Sequence, residues 1–151
     1  MKAVIQRVIK ASVEINNKTV GAIDQGFMIL LGITHDDTVE DLDYLIKKIS
    51  QMRVFNDMDG KMNLSISEVD GSVLVVSQFT LHAKTKKGNR PSYIDAARPE
   101  VAIPLYEQFI ESLKTELGSD KVATGEFGAM MQVHLVNDGP VTIIIDSKEK
   151  N

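Results

Sequence analysis

The chain has 151 residues, 43 % of them hydrophobic and 25 % charged, with a net charge of −4 and no cysteine. That length suits one domain, residues 1–151, with a real buried core, and the acidic balance excludes generic coating of nucleic acid while leaving room for a local basic patch. Without cysteine, disulfide frameworks, thiolate nucleophiles and Cys-based zinc sites are excluded. Residues 2–15 read as extended, with β-branched side chains at Val4, Ile5, Val8, Ile9, Val13 and Ile15. Asn16-Asn17-Lys18 is a turn into a hairpin partner, Thr19 to Ile23, and the apolar run Phe27 to Ile33 predicts a buried strand. A first helix is predicted from Thr38 to Met52, capped by Asp37 or Thr38, with Leu42, Leu45, Ile46, Ile49 and Met52 on one face.

Asn56 to Gly60 follows as a polar turn. Gly60 stands fourth from Asp57 rather than sixth, which argues against a calcium loop. Ser72 to Leu81 predicts another buried strand. A second helix opens at Pro99 and runs to Leu117, with Ala102, Leu105, Tyr106, Phe109, Ile110, Leu113 and Leu117 as its apolar stripe and Gly118 ending it. Two or three strands follow, to Ile145. Few helices and many strands, mostly hairpin-linked, predict an α+β fold: a strongly bent, mostly antiparallel sheet or barrel covered by two main helices. The opening residues lack a signal-peptide core, and no apolar run approaches about 18 residues, so a cytoplasmic protein without membrane association is expected.

Familiar hydrolase and nucleotide signatures are missing: there is no Gly-x-Ser-x-Gly elbow, no phosphate-binding Gly-Lys loop and no His-Glu-x-x-His. His35, His82 and His134 lie far apart and have no metal-ligand neighbour at helical spacing, so neither a metal nor a cofactor is called for. Two other stretches carry chemistry. In Ser77-Gln78-Phe79-Thr80-Leu81, an apolar strand (Val73 to Val76) ends abruptly in hydroxyl, amide, aromatic and hydroxyl groups at the edge of a core. The plainer alternative is that Ser77 and Thr80 satisfy strand-end backbone groups. In Asn137-Asp138-Gly139-Pro140-Val141-Thr142, a Gly-Pro pair separates two strand-like runs. By itself this fits an ordinary hairpin turn. Glycine before proline also leaves a bare carbonyl suited to close approach of a ligand.

Immediately after Leu81 comes the one basic segment, with Lys84, Lys86, Lys87, Arg90 and Arg98 against Asp95 alone. It reads either as a solvated charge run or, beside a candidate site, as a contact for an anionic chain such as a phosphodiester. Gly125 to Ala129 presents Phe127, which serves either to stack on a nucleobase or to plug the core.

Taken together, the opening Met1-Lys2-Ala3-Val4-Ile5-Gln6-Arg7-Val8, the Ser77 to Leu81 stretch, the Gly88 to Pro99 loop, Thr124 to Met131 and Asn137 to Thr142 closely resemble the D-aminoacyl-tRNA deacylase family over nearly the whole chain. The resemblance implies a homodimer with active sites at the subunit interface, binding the acceptor end of D-aminoacyl-tRNA. It implies a cis Gly139-Pro140 bond whose carbonyls enter the partner's pocket, hold the α-amino group and exclude an L-side chain. Ser77, Gln78, Phe79 and Thr80 would line the cleavage pocket, and Gln6 and Arg7 would brace the inserted loop. Lys84, Lys86, Lys87, Arg90 and Phe127 would meet the tRNA, and glycyl-tRNA would also be cleaved.

An aminoacyl ester is already activated, so its hydrolysis needs orientation and oxyanion stabilisation more than a strong nucleophile. No base is evident beside Ser77 or Thr80 in the sequence, which favours a role for the substrate's terminal ribose 2′-hydroxyl over Thr80 as nucleophile, with backbone N–H groups such as that of Phe79 as donors. Two rivals stand beside this reading. A small-molecule esterase would leave the basic loop without a purpose, and a non-catalytic RNA-end binding module would not need a chirality-selective wedge.

Overall fold

The computed structural model describes residues 1–150. In chain order it contains β1 (Lys2–Ile15), β2 (Lys18–Ile23), β3 (Gly26–Gly32), α1 (Val39–Gln51), β4 (Phe55–Asn56), β5 (Met62–Leu64), β6 (Ser72–Ser77), α2 (Pro99–Leu117), β7 (Val122–Thr124) and β8 (Gln132–Asp146). Short 3-10 turns occupy Phe79–His82 and Ser119–Lys121. The sheet runs β2-β1-β3-β6-β7, with β8 on the other edge of β1, and β4 and β5 form a separate hairpin. It is mixed: β1 pairs antiparallel with β2, β3 and β8, while β3–β6 and β6–β7 are parallel. The backbone of Gly21 in β2 comes against Thr124 of β7, so the sheet nearly closes as a barrel.

Alternation along the strands feeds two cores. Phe27, Ile29 and Leu31 of β3 and Val73 and Val75 of β6 pack with the helices, whereas Met28, Leu74 and Val76 face the barrel interior with Val8, Ala11 and Val13. The long strand β1 serves both. Ala3 and Ile5 face the helical core, Ile9 and Lys10 are both exposed, and Ala11 and Val13 then face the barrel interior. The switch coincides with a register shift against β8 between Val8 and Lys10, the signature of a bulge.

The helices form where their periodicity predicts. Leu42, Leu45, Ile46 and Ile49 of α1 are buried, as are Ala102, Tyr106, Phe109, Ile110 and Leu113 of α2. Thr38 is the N-cap of α1, and the Asp41 carboxylate accepts its backbone N–H at 2.9 Å. Asp37 turns inward instead, accepting from Thr34 N–H at 2.7 Å and from the Met1 α-amino group. That amino group also donates to Ser147 Oγ at 2.8 Å, and Ser147 donates on to Asp41 at 2.7 Å. This buried polar chain ties the end of β8 to the start of α1.

Two sequence expectations change. Ser72 to Leu81 is not one strand: pairing ends at Ser77, Gln78 N–H still reaches Leu31 at 2.8 Å, and the backbone then coils into the 3-10 turn. The runs on either side of Gly139-Pro140 are not the two arms of a hairpin either. Both belong to β8 and pair with β1 in one direction, so the Gly-Pro pair sits in a bulge and the chain never reverses.

Candidate active site

The bulge arises from a mismatch in pairing. Gln6 faces Thr142 and Val8 faces Asn137, so only Arg7 of β1 stands opposite residues 138–141 of β8. Asn137 closes the neck, its Nδ2 donating to the carbonyls of Arg7 and Val141, each at 2.9 Å. Gln6 Nε2 donates to Thr142 Oγ1 at 3.3 Å on the flank. Beneath the bulge lies Arg7, 5 % exposed. Its Nε donates to the Asp138 carbonyl at 3.3 Å and lies 3.2 Å from the Asp138 carboxylate. Its Nη1 donates to the Val54 carbonyl at 2.7 Å and to Asn56 Oδ1 at 3.4 Å. The fork of the guanidinium therefore joins the bulge to the strand β4, a rigid planar contact that a flexible ammonium cannot copy. The Gly139-Pro140 bond is cis, and both residues are exposed. Gly139 has φ +121, and a Cβ there would lie 3.0 Å from Arg7 Nη2, so only glycine suits the position.

Ser77, Gln78 and Phe79 line a different feature, a cavity of about 450 Å³. Its opposite wall is Phe127, Gly128, Ala129, Met130 and Met131, and Ala97 and Ala102 lie at its side. Gly32 supports the turn from below, because a Cβ there would lie 3.0 Å from both the Gln78 carbonyl and Leu81 Cβ. The lining contains no carboxylate, imidazole, ammonium or guanidinium. Thr80 lies outside the lining, and its hydroxyl accepts from the Gln78 side-chain amide. Phe79 and Thr80 open the 3-10 turn, so their N–H groups have no partner within it and are available as donors.

Phe127 packs against Tyr106, ring centroids 5.6 Å apart, and joins the helical core as a partly buried side chain. Its place is the cavity wall. Burial pushes the Tyr106 phenol up to about 12, and its hydroxyl donates to the Val75 carbonyl at 3.3 Å, so it holds its proton at neutral pH. The basic segment folds into a loop bridged at Lys84 and Ser92 by backbone bonds of 2.8 and 2.9 Å. Lys84 is paired with Asp95 at 2.8 Å, while Lys86, Lys87 and Arg90 are exposed with no ion pair among the described residues.

The site thus falls into two parts: residues 137–142 do not line the cavity of their own chain. Sequence reasoning missed Val54 and Asn56 as partners of Arg7, and Asn137 as the clasp of the bulge. Val54 and Asn56 meet Arg7 from far along the chain, and although Asn137 also bonds the nearby Val141 carbonyl, its clasp on Arg7 spans the chain and has no local signal. It also missed Tyr93, whose ring stands edge-on to Phe79 at 5.1 Å.

A family model described as D-Tyr-tRNA(Tyr) deacylase matches residues 4–146. The chain is 60 % identical over 150 residues to the D-aminoacyl-tRNA deacylase of Christiangramia forsetii and 62 % identical to that of Cytophaga hutchinsonii, covering 99 % of each chain in both cases. Among solved structures, the c-Myc DNA Unwinding Element Binding Protein superposes with a TM-score of 0.92 at 42 % identity, covering 97 % of this chain and 98 % of that one. A structure described as a "probable eukaryotic D-amino acid tRNA deacylase" superposes at 0.84 with 19 % identity over 95 % and 97 %, a likeness of fold. Matched over residues 4–146 by this family model and over 150 residues by relatives of such identity, the chain belongs to the D-aminoacyl-tRNA deacylase family and is a hydrolase.

Proposed function

We propose that the protein hydrolyses the ester of D-aminoacyl-tRNA, and of glycyl-tRNA, as a cytoplasmic homodimer in which each subunit offers its Gly139-Pro140 bulge to the other's cavity. The observation that carries this reading is the division of the site. A bulge with Gly139 and Pro140 exposed, braced by buried Arg7, lies apart from the cavity that holds Ser77, Gln78 and Phe79. A second copy supplies what one copy separates. The carbonyls of Gly139 and Pro140 would accept from the substrate α-amino group and crowd the side where an L-side chain lies. Glycine has no side chain to reject and passes the same filter.

The uncharged lining of the cavity supports a substrate-assisted reaction. With no acid or base among its walls, proton transfer falls to the terminal ribose 2′-hydroxyl, and the N–H group of Phe79, which lines the cavity, stabilises the oxyanion. Removal of one oxyanion-hole donor typically costs about 2.7–4 kcal/mol. Lys86, Lys87 and Arg90 would follow the phosphates of the acceptor end, and Phe127 would act from the cavity wall. The homologous c-Myc DNA Unwinding Element Binding Protein carries a nucleic-acid-binding name, which makes binding without cleavage the reading to test against. Matched D- and L-aminoacyl-tRNAs separate the two: rapid release of the D-amino acid with the L-ester intact supports the enzyme, and binding of both without release sinks it.

A further inference from the structure

We propose that Tyr93 is a positioning residue for hydrolysis, acting through Phe79. This rests on reading the cavity at Phe79 as the hydrolytic site. Phe79 is 55 % exposed although it helps wall the cavity, so the core does little to hold its ring. The contact that does so is Tyr93, edge-on at 78° with centroids 5.1 Å apart, an arrangement that aromatic quadrupoles favour.

Tyr93 is itself 40 % exposed, yet its backbone is pinned on both sides. Ser92 exchanges two backbone bonds with Lys84, and Ala97 N–H donates to the Ile33 carbonyl at 2.8 Å, at the end of β3. Ala96 N–H turns back to the Tyr93 carbonyl at 3.1 Å, and the Lys84–Asp95 ion pair spans the same segment. An exposed ring on so fastened a backbone has a purpose that solvent exposure alone would oppose. It fixes the Phe79 side chain, and with it the start of the 3-10 turn, where the Phe79 N–H is the donor that the proposed reaction uses. The same segment forms the base of the basic loop, so the loop and the oxyanion donor share one anchor.

The contact uses the ring and not the hydroxyl. Tyr93→Phe should therefore behave as the wild type, while Tyr93→Ala should lower kcat about tenfold, the ceiling for one aromatic pair. KM should change less than kcat. In a Phe79→Leu background, Tyr93→Ala should cost no more than about twofold further, since the ring it positions has gone. Amide and ring resonances of Phe79 should shift in Tyr93→Ala and return in Tyr93→Phe. A kcat within about twofold of wild type for Tyr93→Ala, or an equal loss in the Phe79→Leu background, would overturn the proposal. If the wild type fails to cleave D-aminoacyl-tRNA, the functional reading falls by that result alone. The resonances then decide on Tyr93: an unmoved Phe79 signal removes the positioning role.

Discussion

Arg7 and Asp138 meet twice, through the Asp138 backbone carbonyl and through its carboxylate, so one buried guanidinium sets both the path and the charge of the bulge. Arg7→Ala should leave the Val54 and Asp138 carbonyls without their donor. Such a loss costs about 1–3 kcal/mol for a buried group, read as a lower denaturation midpoint at unchanged slope. Arg7→Lys should recover part of the stability and little of the deacylation, because an ammonium cannot fork between β4 and the bulge. Equal activity in the lysine variant would mean the bulge needs charge alone.

Gly139→Ala places a methyl group 3.0 Å from Arg7 Nη2 at a φ of +121. The strain of such a conformation is of order 1–3 kcal/mol. Stability should fall by about that amount, and discrimination between D- and L-aminoacyl-tRNA should narrow. Wild-type discrimination in a folded variant would count against the wedge.

Thr80 lies outside the cavity lining and its hydroxyl is engaged by Gln78. Thr80→Ala should therefore slow single-turnover cleavage by far less than the roughly 10⁶-fold loss on removing a true nucleophile. A tRNA ending in a 2′-deoxyribose should be nearly inert. A trapped acyl-threonine would refute the substrate-assisted route.

The basic loop should supply affinity rather than chemistry, and unequally. Lys84 is occupied by Asp95, so its replacement should change tRNA binding less than replacement of Lys86, Lys87 or Arg90. Every tRNA phosphate that goes unneutralised in a variant should reduce the salt slope by about 0.7–0.9. Identical slopes for wild type and a Lys86→Ala, Lys87→Ala, Arg90→Ala protein would remove the loop from the interface.

Burial pushes the Asp41 carboxyl up, but hydrogen bonds from Ser147, Thr38 and Lys148 outweigh it and hold the group well below the usual carboxylate range. Its folded pKa lies below its unfolded value of about 3.9, so the unfolded chain binds the proton first as pH falls. The stabilisation is present above that value and is lost as pH drops through the folded pKa. Wild type should weaken steeply below about pH 4. Asp41→Asn should be less stable at neutral pH and show a shallower acid decline, measured by urea unfolding at neutral and at acid pH.

What the sequence determined by itself was what depends on near neighbours. Both helices follow from apolar residues three and four apart and from local stop and start signals, Asp37 or Thr38 before α1 and Gly118 after α2, interactions complete within a turn or two; the structure chose Thr38. The β-branched runs marked most strands for the same reason, and the two motifs identified the family. Only the tertiary structure decided what those motifs build. Whether Gly139-Pro140 reverses the chain depends on the partner of residues 141–145, and β1, at the far end of the chain, pairs with both sides of the bulge. Phe127 has two uses in sequence and one position in space, because Tyr106 of α2 packs beside it. Arg7, in a strand rich in β-branched residues, gives no local sign of burial. Its fork finds Val54, Asn56 and Asp138 only once the sheet has curled, since hydrogen-bond geometry over about 3 Å is set by the whole fold and not by spacing along the chain.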